Sequence, residues 1–390
     1  MAAGRRKVKH MNTIMDIVRK HEEWRRGGIN LIASENSLSK PVREALASDL
    51  AGRYHAIWYG GAEHAREVIA RTEELARMTY DAEHAFVTSL AGNMCDLTAM
   101  FAFSEPGDEV AILPFSAGGY PLGLEKFQRK RLSLPVHEGT FNMDLERAKA
   151  MLEEHQPSLT FLGCSYIVFP HPIKEIKDCV SKWGGTCVFD GSHVLGLIAS
   201  GVFQDPLGEG ADVLLGSTHK SLYGPQGGLL LTNSKEHAEG ISKYLDLDLD
   251  AGFGLVDNPH MNRIAALGAA LEELLDDEGY GQRVVHNSKT MAKALDEAGV
   301  PVKFKDQGYT ESHQLFLDLD PKSAEELCHK LEKVSVFMDI EGRIGTAEAT
   351  HVGMGKKDIE AIASIIAEVY KKGPSQELER QARALSRQLE

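Results

Sequence analysis

The sequence contains little cysteine. Its five cysteines are odd in number and scattered along the chain, and no two form a Cys-x-x-Cys pair. This spacing is typical of neither a zinc site nor a disulfide framework. We therefore expect no metal centre, and small buried thiols in a protein of the reducing cytoplasm.

Long apolar runs and an excess of basic residues are also missing. No run approaches the roughly 20 apolar residues that a membrane helix needs. No apolar signal core follows the basic N-terminus. The chain has 43 Lys and Arg against 57 Asp and Glu, a formal net charge of −14 at pH 7. We therefore expect neither nucleic acid nor an anionic membrane as a partner.

Alternating patterns dominate what is present. From about residue 65 to residue 270, short apolar runs typical of strands alternate with helical patterns. This predicts an α/β fold with a mostly parallel, doubly covered sheet in a large domain. Residues 280–372 alternate again, with strands expected near Val302–Phe304 and Leu315–Leu319, which predicts a smaller C-terminal α/β domain.

This pattern predicts that the chain is divided into three parts. Residues 1–36 are expected to form an N-terminal arm, with an amphipathic helix over 8–26. Residues 37–272 are the large domain and residues 273–390 the small one. The polar end of the small domain is predicted to form a surface helix or a frayed tail.

Two motifs carry the chemistry. Lys220 stands between Thr218-His219 and the glycine-rich turn Gly224–Gly228, while Asp190 ends the apolar run Cys187–Phe189. Alone, such a lysine is usually a solvated charge, and such an acid often caps a helix. At the ends of neighbouring strands they are what pyridoxal phosphate needs, because the lysine holds its aldehyde as a Schiff base and the acid keeps its ring nitrogen protonated. We therefore predict pyridoxal phosphate as the cofactor and residues 37–272 as its domain.

Other polar residues fall at predicted strand ends, where parallel sheets bind ligands. The turn Ala91-Gly92-Asn93 suits a phosphate, although many such turns bind none. His193 either packs near the cofactor or is an ordinary buried histidine. Tyr120, after two glycines, either stacks on a flat ring or belongs to the core. Arg343 suits an α-carboxylate, but an arginine near a strand is more often a surface charge.

Seven segments, in chain order, resemble the serine hydroxymethyltransferase family, which has the aspartate-aminotransferase-like fold of type I pyridoxal-phosphate enzymes. The resemblance runs from about residue 10 to residue 372. The segments are Asn30–Asn36, Tyr59–Glu63, Glu105–Asp108, Asp190–His193, Thr218–Lys220, Gly224–Gly228 and Arg343–Thr346.

The resemblance implies roles around the cofactor. Lys220 would carry it, Asp190 would contact the ring nitrogen, and His193 and Tyr120 would lie against the ring. The other residues expected near the cofactor are Ala91, Gly92, Asn93, Ser165, Thr218 and His219.

The resemblance also implies a homodimer with the site at the subunit interface. Ser34 and Arg343 would hold the substrate carboxylate, and Tyr59 would reach in from the partner subunit. The family's Tyr-x-Glu-Gly-Tyr-Pro-Gly pattern is shortened here, and its glutamate falls at Ala56. The amino-acid end of the site thus matches the family better than the pteridine end.

These features predict an enzyme that makes or breaks the Cα–Cβ bond of a small β-hydroxy amino acid, of the serine–glycine type. A reduced pteridine, folate or methanopterin, is the expected carrier of the one-carbon unit. Glu63, His55 and His219 are candidates for the catalytic base, and the sequence does not rank them. The shortened segment favours an alternative, a pteridine-independent aldolase or transaldolase. A racemase, aminotransferase or decarboxylase and an inactive homologue are further alternatives.

Overall fold

A computed structural model describes residues 13–137, 141–247 and 250–387 of the chain. The strands are β1 (Ile29–Asn30), β2 (His84–Phe86), β3 (Glu109–Ile112), β4 (Lys130–Ser133), β5 (Leu159–Leu162), β6 (Thr186–Asp190), β7 (Val213–Ser217), β8 (Gly228–Thr232), β9 (Gln314–Phe316), β10 (Val336–Phe337) and β11 (Arg343–Gly345). The helices are α1 (Ile14–Arg26), α2 (Lys40–Leu46), α3 (Glu63–Tyr80), α4 (Gly92–Phe103), α5 (Leu145–His155), α6 (Ile173–Val180), α7 (Leu195–Ala199), α8 (Lys235–Leu245), α9 (Met261–Asp276), α10 (Tyr280–Glu297), α11 (Pro321–Glu332), α12 (Ala347–His351), α13 (Lys356–Lys372) and α14 (Gln376–Arg387).

Seven strands form the central sheet, in the order β2-β8-β7-β6-β5-β3-β4. Strand β8 pairs antiparallel with both of its neighbours, and the remaining pairs are parallel. The predicted α/β fold with a mostly parallel sheet is therefore confirmed.

Both faces of this sheet are buried. Phe161 and Val188 pack with α4 and α8 on one face, whereas Leu162 and Phe189 pack with α3, α5, α6 and α9 on the other. Successive strand residues point to opposite faces, so strands covered on both sides need continuous apolar sequence. This explains why these strands appear in the sequence as unbroken apolar runs.

A second core lies toward the C-terminus, between α10, α11 and α13. Strand β1 pairs with β10, and β9 pairs with β11. Ile29 and Leu31 pack into this core, although they precede the central sheet in the chain. Helix α10 joins the two cores, because Val284 packs in the first and Met291 in the second. The division into an arm, a large domain and a small domain stays a prediction.

The ends of the chain largely follow the sequence pattern. The predicted N-terminal helix is present as α1, and residues 8–12 of that prediction lie outside the described residues. The polar C-terminal segment forms α14, in which Ala382 is fully buried. No helix in the described ranges is long and apolar enough to cross a membrane.

One predicted strand is reduced to a single bridge. Val302 pairs with Leu317, but Phe304 has a φ of 62° and directly precedes a short 3-10 helix, Lys305–Gln307. A residue with positive φ cannot continue an extended strand, so the predicted strand over Val302–Phe304 ends at once.

Candidate active site

Predicted site residues from separate strands meet at one edge of the sheet, because the carboxyl ends of parallel strands lie together. A cavity of about 300 Å³ lies there. Nine predicted residues line it: Ala91, Gly92, Asn93, Tyr120, Ser165, Asp190, His193, His219 and Lys220. Three residues that the sequence analysis did not identify also line it: Asp96, Ser192 and Ser217.

Lys220 follows β7 by three residues. The Asn36 side-chain amide donates to the carbonyl of Lys220 over 2.8 Å, which ties this turn to the N-terminal segment. Burial lowers the pKa of Lys220, and the carboxyl groups of Asp190 and Asp96 partly oppose this effect. A larger fraction of its amine is therefore neutral than in an exposed lysine, as attack on an aldehyde requires.

Asp190 is the last residue of β6. Its Oδ1 accepts the Ser192 backbone N–H over 2.9 Å, and no described residue hydrogen-bonds its Oδ2. Gly163, at the end of the neighbouring strand, has a φ of +82°, and a Cβ there would lie 2.0 Å from the Asp190 carbonyl oxygen. Only glycine fits this close approach, so the ends of the two strands lie close together beside the acid.

The N-terminus of α4 also borders the cavity. Ala91 precedes this helix in an extended conformation and makes no side-chain cap. A Cβ on Gly92 would lie 2.1 Å from the Ser217 hydroxyl oxygen, so the absence of a side chain is required. The uncapped backbone N–H groups and nearby hydroxyl form a cradle that suits a phosphate dianion.

Two imidazoles complete the cavity. Burial lowers the pKa of His193 far below its usual value and that of His219 to about 4. Both rings are therefore neutral near pH 7, and the Nδ1 atom of each is buried without a partner in the described structure. The His193 ring stacks on His313, with centroids 5.8 Å apart and planes 14° from parallel. His313 was not predicted, because an isolated histidine gives no sequence signal.

Arg343 joins the site through β11. Its Nη1 donates to the Ser165 carbonyl over 2.8 Å, and its Nε donates to Asp339 Oδ2 over 2.7 Å. The guanidinium also lies 5.5 Å from the centre of the Tyr166 ring. These contacts occupy Nε and Nη1 of the guanidinium and leave Nη2 without a partner among the described residues. Asp339 was not predicted either, because its contact with Arg343 depends on the tight turn before β11.

Ser34 and Thr218 belong to segments that contact other parts of the site. The Leu31 carbonyl accepts the Gly345 N–H over 2.8 Å, which places the chain just before Ser34 beside β11, the strand that begins with Arg343. The Thr218 hydroxyl donates to the Pro225 carbonyl over 2.6 Å, so this side chain supports the turn around Lys220.

Five predicted residues are absent from the cavity lining: Ser34, Thr218, Arg343, Glu63 and Tyr59. Glu63 is exposed at the start of α3. Tyr59 is 44% exposed and belongs to an aromatic patch, which we define as Tyr54, Trp58, Tyr59 and Phe253. This patch borders a separate cavity of about 220 Å³. The placement of Tyr59 in a partner's site therefore stays a prediction.

The cavity fits pyridoxal phosphate in three respects. Lys220 offers an amine, Asp190 offers an acid with an unused oxygen, and the N-terminus of α4 offers phosphate donors. No group of three or more potential ligands in the described residues suits a metal ion. An α/β fold with this site at its strand ends defines a pyridoxal-phosphate-dependent enzyme of fold type I.

Comparison with known proteins shows to which family of fold type I enzymes the chain belongs. The serine hydroxymethyltransferase family profile matches residues 8–366. The chain is 37% identical to the serine hydroxymethyltransferase of Methanopyrus kandleri, over 93% of this chain and 89% of that protein. It is 35% identical to that of Methanobrevibacter smithii, over 90% and 88%. The chain therefore belongs to the serine hydroxymethyltransferase family, and pyridoxal phosphate is its cofactor.

A solved structure is also similar. The L-threonine transaldolase from Pseudomonas fluorescens, in its internal aldimine state, superposes with a TM-score of 0.88 and 25% sequence identity. The match covers 96% of this chain and 90% of the transaldolase. The fold and the family thus agree with the site chemistry.

Proposed function

We propose that this chain makes and breaks the Cα–Cβ bond of a β-hydroxy amino acid of the serine–glycine type. The observation that carries the proposal is the meeting of Lys220 and Asp190 in one cavity, with Arg343 bound to the backbone of Ser165 at its rim. An amine, an acid and a carboxylate receptor are thereby gathered in one site.

Each residue has a distinct task. Bound pyridoxal phosphate supplies an aldehyde for amines and a ring that accepts the electron pair of a bond broken at the substrate α-carbon. Lys220 holds the cofactor, and Asp190 keeps a proton at the ring nitrogen by charge pairing. The free Nη2 of Arg343 binds the substrate carboxylate, with Ser34 alongside. This anchor sets the direction of the labile bond.

His219 is the strongest of the three candidate bases. It lines the cavity, and because its pKa is lowered to about 4 by burial, its imidazole is free to accept the β-hydroxyl proton near pH 7. Within this chain, Glu63 is exposed on α3, and His55 lines the separate cavity beside the aromatic patch. Either residue acts only if a second subunit brings it to the site.

We propose a homodimer, with the site at the subunit interface. Helix α1 contains no buried residue, and two of its isoleucines are exposed, Ile14 at 74% and Ile17 at 53%. The aromatic patch is exposed as well. Two apolar surfaces on one acidic chain favour burial against a second copy. We also place the protein in the cytoplasm, since all five cysteines are free thiols.

A transaldolase is the second candidate. It is favoured by the similarity to the L-threonine transaldolase and by Ala56, which stands where the family pattern has glutamate. Such an enzyme passes the amino-acid carbanion to another aldehyde and needs no pteridine.

One assay separates the two candidates. Purified enzyme is incubated with serine, with and without tetrahydrofolate or a methanopterin, and glycine release is measured. Acceleration by a pteridine supports the hydroxymethyltransferase. A parallel incubation of threonine with an aromatic aldehyde detects a new β-hydroxy amino acid if the transaldolase is correct. If only racemised, transaminated or decarboxylated products form, the proposed Cα–Cβ chemistry is wrong.

A further inference from the structure

Asp96 is a buried acid to which the proposed mechanism gives no task. It lies in α4, one turn after Gly92, and is 4% exposed. No described residue forms a hydrogen bond with its carboxyl group. An unpartnered carboxyl group in a protein interior is costly, so its retention at a cofactor site indicates that it serves the ligand or the residues around it.

The surroundings of Asp96 show what it faces. Asp96, Asp190 and Tyr120 line the main cavity, and the same three residues also line a second, smaller cavity of about 20 Å³. The smaller cavity is otherwise mostly apolar, with Leu113 and Phe161 among its walls. Asp96 therefore shares a poorly solvated space with the acid that retains an unused oxygen.

Two carboxyl groups in such a space do not both ionise readily. Burial raises the pKa of Asp96 well above its usual value, the Asp190 charge raises it further, and Lys220 opposes these effects. The other titratable neighbours are Tyr120 and Cys95, and burial raises the pKa of each, so both are neutral near pH 7. Asp96 is thus expected to be a neutral acid.

We propose that Asp96 is a positioning residue of the cofactor site, a neutral carboxylic acid that donates a hydrogen bond to the unused oxygen of Asp190 once the cofactor is bound. This hydrogen bond holds the Asp190 carboxylate in place against the ring nitrogen of the cofactor. The inference rests on the proposed function, because it assigns Asp190 to that nitrogen.

The test compares two substitutions at this position. Asparagine is a neutral donor of the same shape as the protonated acid, whereas alanine removes the donor. For each variant, apoprotein is titrated with pyridoxal phosphate, and the visible band of the holoenzyme is followed against pH. We expect Asp96→Asn to keep the dissociation constant and the spectral pH midpoint close to wild type. Asp96→Ala should raise the dissociation constant roughly tenfold or more and shift the midpoint.

A matched control and a parallel variant isolate the inference. Asp178→Asn changes an acid that is 67% exposed on α6 and should alter neither readout. Asp190→Asn should weaken cofactor binding by itself. If it does not, the assignment of Asp190 fails together with the proposed function. If it does, but Asp96→Ala behaves as wild type, the inference alone is overturned.

A second measurement does not depend on the alanine variant folding. Infrared spectra of the wild-type and Asp96→Asn holoenzymes are subtracted, and the carbonyl band of a neutral carboxylic acid is sought. We expect this band in the wild type and its loss in the variant. A missing band, or an Asn variant as impaired as the Ala variant, means that Asp96 acts as an anion and contradicts the proposal.

Discussion

The cofactor cavity and the aromatic patch differ in how completely this chain builds them. In the cavity, Asp190 and the rim residue Arg343 have partners from the same chain, and Arg343 is only 8% exposed. In the patch, Trp58 is 53% and Phe253 is 52% exposed. The cofactor cavity is thus built from buried residues of this chain, whereas the aromatic patch is exposed to solvent in the single chain.

This difference follows from what carries each region. The cavity residues stand at the ends of buried strands or at a helix start, so packing holds them in place. Residues 53–62 form turns without helix or strand, and loops of this kind tolerate substitution and shortening. The departure from the family pattern at Ala56 falls in this loop, whereas Lys220, Asp190 and Arg343 match the family pattern.

Loss of Lys220 should have the largest effect. Lys220→Ala removes the amine that holds the cofactor, so the visible absorption band should disappear and turnover should fall by roughly 10³-fold or more. Lys235→Ala, at a lysine with an 84% exposed side chain, is the control and should leave both unchanged. A Lys220→Ala enzyme that keeps the visible absorption band would show that Lys220 does not carry the cofactor.

Arg343→Ala should have the next largest effect. Removing one partner of a buried charged pair typically costs about 2–5 kcal/mol, so the KM for serine should rise at least roughly 30-fold. Arg380→Ala, on the exposed face of α14, serves as the control. Serine kinetics that do not change would remove Arg343 from the substrate site.

The buried region should also be sensitive to acid. His171 Nδ1 accepts the Gly163 N–H behind the cavity, and burial lowers the pKa of His171 from 6.5 to about 4. The folded state therefore resists protonation that the unfolded state accepts, so this stability is present above pH 6.5 and is lost as the pH falls toward 4. The loss amounts to about 3 kcal/mol.

Denaturant unfolding of the apoprotein at pH 7 and pH 4.5 measures this loss. His171→Asn retains an acceptor that does not titrate, so its free energy of unfolding should fall less between the two pH values. If the free energy of unfolding falls equally in the variant and the wild type, groups other than His171 cause the loss of stability at low pH.

The aromatic patch should matter for assembly. Replacing Trp58 and Tyr59 with serine removes two large rings from the proposed interface, and their joint loss should cost at least about 2 kcal/mol of binding free energy. We expect the dimer dissociation constant, measured by analytical ultracentrifugation, to rise at least roughly 30-fold. A wild-type monomer, or an unaffected dimer, would mean that something else covers the patch.

Asp339→Asn should have the smallest effect. The Asp339 carboxylate holds Arg343 Nε, and loss of its charge weakens that hydrogen bond by about 1 kcal/mol. We expect the KM for serine to rise roughly fivefold with little change in kcat, because the anchor becomes less ordered while the chemistry is intact. Asp318→Asn is the matched control, because it changes an acid in the same part of the chain whose side chain is exposed. A change in kcat alone would assign Asp339 another role.

The sequence predicts the cofactor cavity better than it predicts the aromatic patch. The ends of apolar runs identify Asp190 and Lys220, since parallel strands bring their carboxyl ends together. Asp96 and Asp339 were not predicted, because one lies inside a helix and the other in a turn. Only folding brings Asp96 into the cavity of Asp190 and Asp339 to Arg343. Phe304 shows the same limit, as its positive φ has no signal in the sequence.

The central claim is that Lys220 and Asp190 hold pyridoxal phosphate between them. Borohydride reduction of the holoenzyme, followed by peptide mapping, tests it most directly, because reduction fixes the cofactor to the amine that carries it. The account predicts a single labelled peptide with the pyridoxyl group on Lys220. A label on any other lysine, or none, would contradict it.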